Sequence, residues 1–315
     1  MSYKDIIALW DKFFFSEGSP LVVAVYRILL GAMICQFLYL LIPDLYIWFG
    51  SKGVVSTESV HNWSAVDGFS LLSLAPNNDA FLTGFVVLFS LAAICLTLGF
   101  HTRLAAIFCF MAMVTLYHRN PFIFNSGDSY VRVTLFWLIF AASGNALSLD
   151  RFKEKPWNAA GNFLDYKPVS MWPQRLLQLQ LALVYAHTFV AKVFGEPWID
   201  GTAVYYSSRV EDLQRFPLPY LFEHMWTINL LTWGTLAIEL ALCTLIWIKE
   251  TRYWTLLAAI FFHLTIEYHM NIPQFEFLMI YSYILFVEPE HIAKALCLFR
   301  DKFCNKFKNT KSPAV

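Results

Sequence analysis

The sequence predicts an all-α protein, built as a polytopic transmembrane helical bundle of about eight spans. Of its 315 residues, 58% are hydrophobic and 18% are aromatic. Charged residues make up only 15%, against about 25% in soluble domains. The mean hydropathy is +0.51, and apolar segments recur along the whole chain. A soluble core does not need so much apolar surface, so these observations indicate an integral membrane protein.

A spanning helix needs about 20 mostly apolar residues, at a rise of about 1.5 Å per residue. Eight segments qualify, although the third, fourth and eighth are short. The predicted spans are 21–42, 80–100, 103–118, 129–143, 173–194, 226–248, 253–270 and 275–287. We expect one transmembrane domain over residues 1–315.

Both termini carry segments that are predicted to lie outside the spans. Apolar side chains recur at helical spacing before the first span, which is typical of a helix lying on the membrane surface. Residues 1–20 are therefore expected to form an interfacial helix. Residues 290–315 form a basic tail, within which 290–299 are a second candidate interfacial helix.

The loops differ in their content of lysine and arginine. One side carries Lys4, Lys12, Arg103, Arg151, Lys153, Lys155, Lys167, Lys249, Arg252, Lys294, Arg300, Lys302, Lys306, Lys308 and Lys311. The other side carries Lys52, Arg119, Arg209 and Arg215. Basic loops stay in the cytoplasm. We therefore expect an even number of spans, both termini in the cytoplasm, and a location in the plasma membrane.

Charge also limits the partners. The formal net charge is zero, so nucleic acid is not expected to bind. Membrane lipid is the expected surrounding partner.

The two long outer loops, 43–79 and 195–225, carry aromatic and turn residues. We expect these loops to fold over the outer mouth of the bundle.

Two charged residues lie well inside predicted spans, where each costs about 2.5–3.5 kcal/mol on insertion scales. Arg27 lies in the first span and Glu239 in the sixth. Two interpretations stay open. They neutralise each other as a structural pair, or each is a fixed charge that lines a cavity.

The fifth span carries a polar stripe. Gln178, Tyr185 and Lys192 are spaced by seven residues and therefore share a helix face. Gln180 and His187 lie on a roughly opposite face, and we expect only one of the two stripes to face the bundle interior. Lys192 is near the outer end of its span. It acts either as a snorkelling anchor or as a base or oxyanion partner beside other polar groups.

Further polar residues are predicted at the same outer level. His263 and Glu267 are four residues apart on the seventh span, so they share a face. They suit an acid–base pair, with His263 as proton carrier and Glu267 as its orienter, or two ligands of a metal. No third ligand stands out, so no metal site is predicted. Asn125, Asp128 and Arg132 begin the fourth span and are expected to support the same site.

Several segments resemble the HTTM domain, the membrane domain shared with vitamin K-dependent gamma-carboxylase. They occur in the order of that family and cover most of the chain. These segments are VYRILLG (25–31), WFGSKGVVS (48–56), LGFHTRLAA (98–106), NSGDSY (125–130), AKVFGEPWIDG (191–201) and FFHLTIEYHMNIPQFEFLMIYSYILF (261–286). A bacterial group in the family, the sporulation-delaying protein B type, is needed to mature a secreted peptide toxin.

The resemblance implies an active site at the extracytoplasmic face, with carboxylase/epoxidase-like chemistry or peptide maturation. A reduced, vitamin K-like quinone is the implied cofactor, and a secreted peptide with its maturation partners is implied as well. The catalytic candidates are Lys192, His263 and Glu267. Substrate contacts are expected from Asn125, Asp128, Arg132, Tyr185 and Trp198.

One departure from the family concerns the lysine that acts as the base. The carboxylase has two adjacent lysines before its W-x-x-G turn, and the second is the base. Counted back from Trp198, Lys192 matches the first lysine and Val193 stands at the second.

Two other classes of function stay open: a non-catalytic or immunity-type partner, and a transporter. Inverted repeats and paired broken helices would indicate a transporter, and the sequence has neither.

Overall fold

A computed structural model describes residues 2–63, 68–154, 164 and 166–309, and its described part is almost entirely helical. The helices are α1 (Tyr3–Phe15), α2 (Leu21–Leu41), α3 (Leu45–Phe49), α4 (Thr57–Trp63), α5 (Asp79–Leu98), α6 (Thr102–Arg119), α7 (Ser126–Phe140), α8 (Leu149–Glu154), α9 (Trp172–Val193), α10 (Glu196–Ile199), α11 (Ala203–Ser207), α12 (Pro219–Phe222), α13 (Met225–Cys243), α14 (Lys249–His269), α15 (Phe275–Ser282) and α16 (Pro289–Asn309). Short 3-10 turns occupy Ile42–Asp44, Leu71–Leu74, Pro121–Ile123, Ser143–Asn145, Glu211–Leu213, Leu245–Trp247 and Tyr283–Phe286. The strands β1 (Glu17–Gly18) and β2 (Val169–Ser170) pair antiparallel.

Every predicted span coincides with a helix, with ends shifted by a few residues. By length and hydropathy, four of the described helical segments can cross a membrane: Leu21–Phe49, Asp79–Leu98, Trp172–Val193 and Met225–Cys243. Phe275–Phe286 is apolar but shorter. The chain is therefore an integral membrane protein, and the count of eight spans stays a prediction.

The eight helices that match the predicted spans form a closed ring. Going round it, α2 packs on α5, α5 on α6, α6 on α7, α7 on α9, α9 on α13, α13 on α14, α14 on α15, and α15 on α2. The turn Tyr283–Phe286 continues α15 and contacts both α2 and α9. This turn therefore brings polar side chains to the interior of the ring.

Burial differs between the helices of the ring. α2 is buried over more of its length than the other three candidate spans, with Leu21, Tyr26, Leu30 and Ile34 all inaccessible. On α5, the side chains of Val87, Leu91 and Ile94 are exposed instead. Apolar side chains on the outside of such a bundle suit contact with lipid tails.

Several segments meet at one end of the ring, which we call the terminal end. Glu17 pairs with Ser170 in the two-stranded sheet. The guanidinium of Arg175 donates to the carbonyl of Phe13, and Arg252 at the start of α14 is ion-paired with Glu288 before α16. The start of the chain, the start of α9 and the start of α16 therefore lie together.

The two long loops predicted on the other side are fixed to the opposite ends of the helices. Arg119 at the end of α6 donates to the carbonyls of Phe49 and Gly50. Arg215 donates to Glu267 near the end of α14. Each long loop is therefore held at the end of a helix, the first at α6 and the second at α14.

Candidate functional site

Four side chains form a continuous hydrogen-bonded chain inside the ring, which we call the histidine relay: Glu276, His263, Tyr185 and Tyr283. Nδ1 of His263 is bonded to Oε2 of Glu276, and Nε2 lies 2.7 Å from the hydroxyl oxygen of Tyr185. That hydroxyl is also 2.7 Å from the hydroxyl of Tyr283. All four side chains are buried. Three parts of the ring meet here, since α9, α14 and the α15 segment each contribute.

The bonding pattern fixes the direction of the relay. A carboxylate can only accept, so Glu276 selects the tautomer with the proton on Nδ1. Nε2 then accepts from the hydroxyl of Tyr185, and Tyr185 accepts from Tyr283. A carboxylate, an imidazole and a hydroxyl joined in this order are the arrangement that lets an imidazole take a proton and keeps the resulting cation stabilised.

Two further tyrosines lie in the same interior. The hydroxyl of Tyr26 is 3.1 Å from Ser282 Oγ, next to Tyr283 in sequence. The hydroxyl of Tyr130 is also buried and lies among the hydroxyls of Tyr26, Thr134 and Ser282.

The predicted pairing of His263 with Glu267 is wrong. Glu276 takes that position, and Glu267 forms an ion pair of 2.5 Å with Arg215. Residues four apart share a helix face, but near the end of α14 that face meets the outer loop as well as the interior. Arg215 also donates to Asn271, so Glu267 fastens the loop to the end of α14.

Glu276 and Tyr283 were not predicted as site residues, although the sequence carries a signal for them. Glu276 is a carboxylate near the start of an apolar helix, and Tyr283 follows it by seven residues, on the same helix face. The missing information was that this face points to His263 rather than to lipid.

Lys192 forms an ion pair with Glu239 of α13. The side chain of Glu239 is 5% exposed and that of Lys192 is 29% exposed. The ammonium also lies 5.2 Å from the ring centroid of Trp198. Gly201, which closes the turn after Trp198, has a φ of +83°. That backbone conformation favours glycine, which explains the spacing of tryptophan and glycine.

Of the two interpretations of Arg27 and Glu239, the one in which they pair with each other is wrong. The guanidinium of Arg27 donates to the carbonyls of Ser143 at 2.8 Å and Leu147 at 2.6 Å. These carbonyls follow α7 and need donors that the turn itself does not supply. Glu239 meets Lys192 instead, so the two intramembrane charges have separate partners.

The polar stripes of α9 do not separate as expected. Gln178 and Tyr185 face the interior and Lys192 faces α13, but Gln180 also packs inward, donating to the carbonyl of Tyr130 and to Thr134. Both faces are therefore packed against protein at this level. His187, further along the second face, is exposed.

Asn125, Asp128 and Arg132 lie apart from the histidine relay. Asn125 caps α7 and forms a capping box with Asp128. Both line a small cavity of about 30 Å³ with Gln274 and Phe275, large enough for about one water molecule. Arg132 stacks 3.6 Å from the ring centroid of Tyr117. Asn125 and Asp128 therefore cap the start of α7, whereas Arg132 joins α7 to α6.

A metal centre has no support in the described part of the chain, where no three histidine, cysteine or acidic residues are grouped as ligands. The described residues of the ring offer acid–base chemistry. Two centres provide it: the histidine relay, and the ion pair of Lys192 with Glu239.

Comparison with known proteins identifies the family. The HTTM domain matches residues 20–291, which include all eight helices of the ring. The chain is similar to the uncharacterized protein YitO of Bacillus subtilis (strain 168), with 27% identity over 122 residues. This match covers 36% of the chain and 38% of YitO. No solved structure matches. Since the HTTM match extends over most of its length, the chain belongs to the HTTM domain family.

Proposed function

We propose that this protein is a membrane-embedded acid–base enzyme, related to the gamma-carboxylase family, that acts on a quinone-like lipid or a secreted peptide. The observation that carries the proposal is the buried histidine relay of Glu276, His263, Tyr185 and Tyr283. Ionisable groups inside a membrane are expensive, and those that persist mark functional sites. A relay of four such groups across three parts of the ring supports a proton-transfer function.

In this proposal His263 is the proton carrier and Glu276 is its orienter. The substrate gives a proton to the hydroxyl of Tyr283, Tyr283 passes its own proton to Tyr185, and Tyr185 passes its own to Nε2 of His263. The relay then holds one extra proton, on an imidazolium that the carboxylate of Glu276 stabilises, and both tyrosines stay protonated.

Lys192 has the role of a charge partner. Its ammonium is ion-paired with the carboxylate of Glu239. A cation held in this way would stabilise an oxyanion that forms beside it. Val193 stands where the family has its basic lysine, so these residues do not fit the deprotonation of a quinone by lysine. No step of the proposed mechanism depends on a quinone cofactor.

The proposal includes the topology. Eight spans with both termini in the cytoplasm of a bacterium would put the loops 43–79 and 195–225 outside. The distribution of basic residues and the closed ring support this. The substrate would then enter from the extracytoplasmic side, beneath the loop that Arg215 fastens to Glu267.

The experiment compares molecules that co-purify with the wild type and with His263→Gln, using mass spectrometry after purification from native membranes in mild detergent. Thr115→Val is the control, because it removes a buried hydroxyl of α6 outside the relay. We expect a peptide or quinone-like lipid whose mass or amount changes in His263→Gln and not in Thr115→Val.

Identical sets of ordinary phospholipids in all three samples would contradict the enzyme proposal. That result would favour the second candidate, a non-catalytic or immunity-type membrane partner. In such a protein the relay would only satisfy its own hydrogen bonds. Equal melting temperatures of the two variants would ensure that a changed profile reflects chemistry and not unfolding.

A further inference from the structure

We propose that a cavity at the terminal end binds the headgroup of a membrane phospholipid that carries both a phosphate and a hydrogen-bond donor, as phosphatidylethanolamine does. The cavity has a volume of about 420 Å³. Its walls come from the segment before α2, the start of α9, the turn Leu245–Trp247 with the start of α14, and residues 285–290. It is separate from the histidine relay and does not depend on the function proposed for it.

One buried polar atom in this cavity lacks a partner. Gln174 lines the cavity and is only 6% exposed. Its Nε2 donates to the carbonyl of Leu285 at 3.3 Å, whereas its Oε1 accepts no hydrogen bond from a described residue. A buried amide oxygen without a donor is costly. A ligand with an N–H or O–H group would satisfy it.

The neighbouring Gln178 already has hydrogen-bond partners at both its amide nitrogen and its amide oxygen. Its Nε2 donates to the carbonyl of Leu285 at 2.7 Å, and its Oε1 accepts from Nη1 of Arg175 at 2.9 Å. Arg175 is in turn fixed by the carbonyl of Phe13. Gln178 therefore orients the guanidinium at the cavity wall, and Gln174 keeps an acceptor for a ligand.

The charges on the wall are mixed. Arg252 is neutralised by Glu288 at 2.5 Å, whereas Lys249 is exposed and has no ion pair with any residue that the structure describes. Lys249 and Arg175 would attract a phosphate. Glu17 and Glu290 also line the cavity and are exposed, so an ammonium group would find acceptors beside the phosphate. This combination suits a zwitterionic headgroup better than a bare anion.

The position of the cavity favours a lipid as the source of that headgroup. The cavity lies where α2 and α9 begin, which is the level of the headgroups if these helices span the membrane. The guanidinium of Arg175 lies 4.9 Å from the ring centroid of Phe13, so α1 adjoins the site. α1 exposes Ile6, Trp10 and Phe15, an apolar surface along which acyl chains can lie.

The test uses the purified full chain in nanodiscs that contain phosphatidylethanolamine and phosphatidylcholine, with retained lipid counted by native mass spectrometry. Phosphatidylcholine has the same phosphate but no N–H group to donate to Gln174. We expect the wild type to retain phosphatidylethanolamine about tenfold better. Gln174→Met should abolish this preference.

Lys249→Gln tests the phosphate contact, with Lys294→Gln as its matched control, since Lys294 is an exposed lysine of α16 that does not line the cavity. We expect Lys249→Gln to lower the retention of both lipids about threefold and Lys294→Gln to leave it unchanged. Lys249 is exposed, so its substitution should not unfold the chain.

Two results would overturn the proposal. Equal retention of the two lipids by the wild type and by Gln174→Met would mean that the cavity does not select a headgroup. Complete displacement of the lipid by soluble phosphoethanolamine at equal concentration would identify a soluble phosphate ester as the ligand.

Discussion

Nε2 of His263 lies 2.7 Å from the hydroxyl oxygen of Tyr185, so an imidazole of α14 and a phenol of α9 are joined inside the ring of helices. The contact is possible because α9 and α14 both approach the turn Tyr283–Phe286, whose first residue bonds to the same hydroxyl. The hydrogen bonds of the relay are therefore expected to be cooperative. Each member of the relay fixes the hydrogen-bond direction of the next, so removing one should affect the others.

The first prediction is that Tyr185→Phe and Glu276→Gln are coupled. Each single change should lower the free energy of unfolding by about 1 to 3 kcal/mol, because each leaves His263 with an unsatisfied or weakened bond. The double variant should lose less than the sum, by about 1 kcal/mol. Thermal unfolding in detergent measures this.

Thr115→Val provides the control for this cycle. Thr115 is buried and accepts a hydrogen bond from the backbone of Leu71, far from the relay in the ring. The loss of stability caused by Thr115→Val should add to the loss caused by Tyr185→Phe. If the Tyr185 and Glu276 variants were additive as well, the relay would not be a cooperative unit.

The second prediction concerns the ion pair of Lys192 with Glu239. Lys192→Met leaves the buried carboxylate of Glu239 unpaired, and its Oε2 already has no described partner. We expect a loss of about 3 kcal/mol, since a buried charge without its partner is strongly destabilising.

Adding Glu239→Gln to Lys192→Met removes the unpaired charge and should recover part of that stability. Unfolding temperatures of the two single variants and the double variant measure the recovery. A double variant that is less stable than Lys192→Met would mean that Glu239 contributes through other contacts. A stable Lys192→Met protein would favour the lipid-anchor interpretation of this lysine.

Much of the fold was predictable because the positions of the helices depend on the lengths of local runs of apolar residues. All eight helices of the ring were located from runs of apolar residues, including the short α7 and α15. The partners of the buried charges were not predictable. Arg27 and Glu239 look complementary in sequence, but Arg27 serves the carbonyls of Ser143 and Leu147, which no charge pattern reveals.

The same limit applies to the site. His263 and Tyr185 were identified because polar residues in apolar spans are rare. Glu267 was chosen over Glu276 because helical spacing is visible in sequence, whereas contact between α14 and the segment that follows depends on how the chain turns at Pro273. The residues that share a helix face can be read from local sequence. Which two faces pack against each other depends on the tertiary structure and cannot.

The third prediction concerns pH and the loop after α7. Asp150 accepts from the backbone of His101 at 2.9 Å and from the backbone and hydroxyl of Thr102 at 3.1 and 3.0 Å. Partial burial raises the pKa of this carboxyl, but the hydrogen bonds from Thr102 and His101 outweigh it, so the pKa lies below the usual 3.8. The contribution to stability is therefore present above the usual pKa and is lost as the pH falls through the lowered value.

Asp150→Asn should lower the free energy of unfolding by about 1 kcal/mol at neutral pH, the typical value of a helix cap. The difference from the wild type should shrink on acidification below about pH 4. Melting temperatures between neutral pH and about pH 3 measure this. A difference that does not change with pH would show that the charge of Asp150 is not what holds the start of α6.

The fourth prediction is the orientation of the ring. The terminal end gathers Lys249, Arg252 and the start of α9, which the sequence assigns to the cytoplasm. A fluorescent protein fused to the C-terminus should therefore be fluorescent. Alkaline phosphatase fused within the outer loop, at Lys52, should be active, because it folds only outside the cytoplasm. A phosphatase fusion at Lys153 should be inactive. Since Lys52 and Lys153 are separated by α5, α6 and α7, activity at both positions would require an even number of crossings between them and would exclude the ring of eight spans.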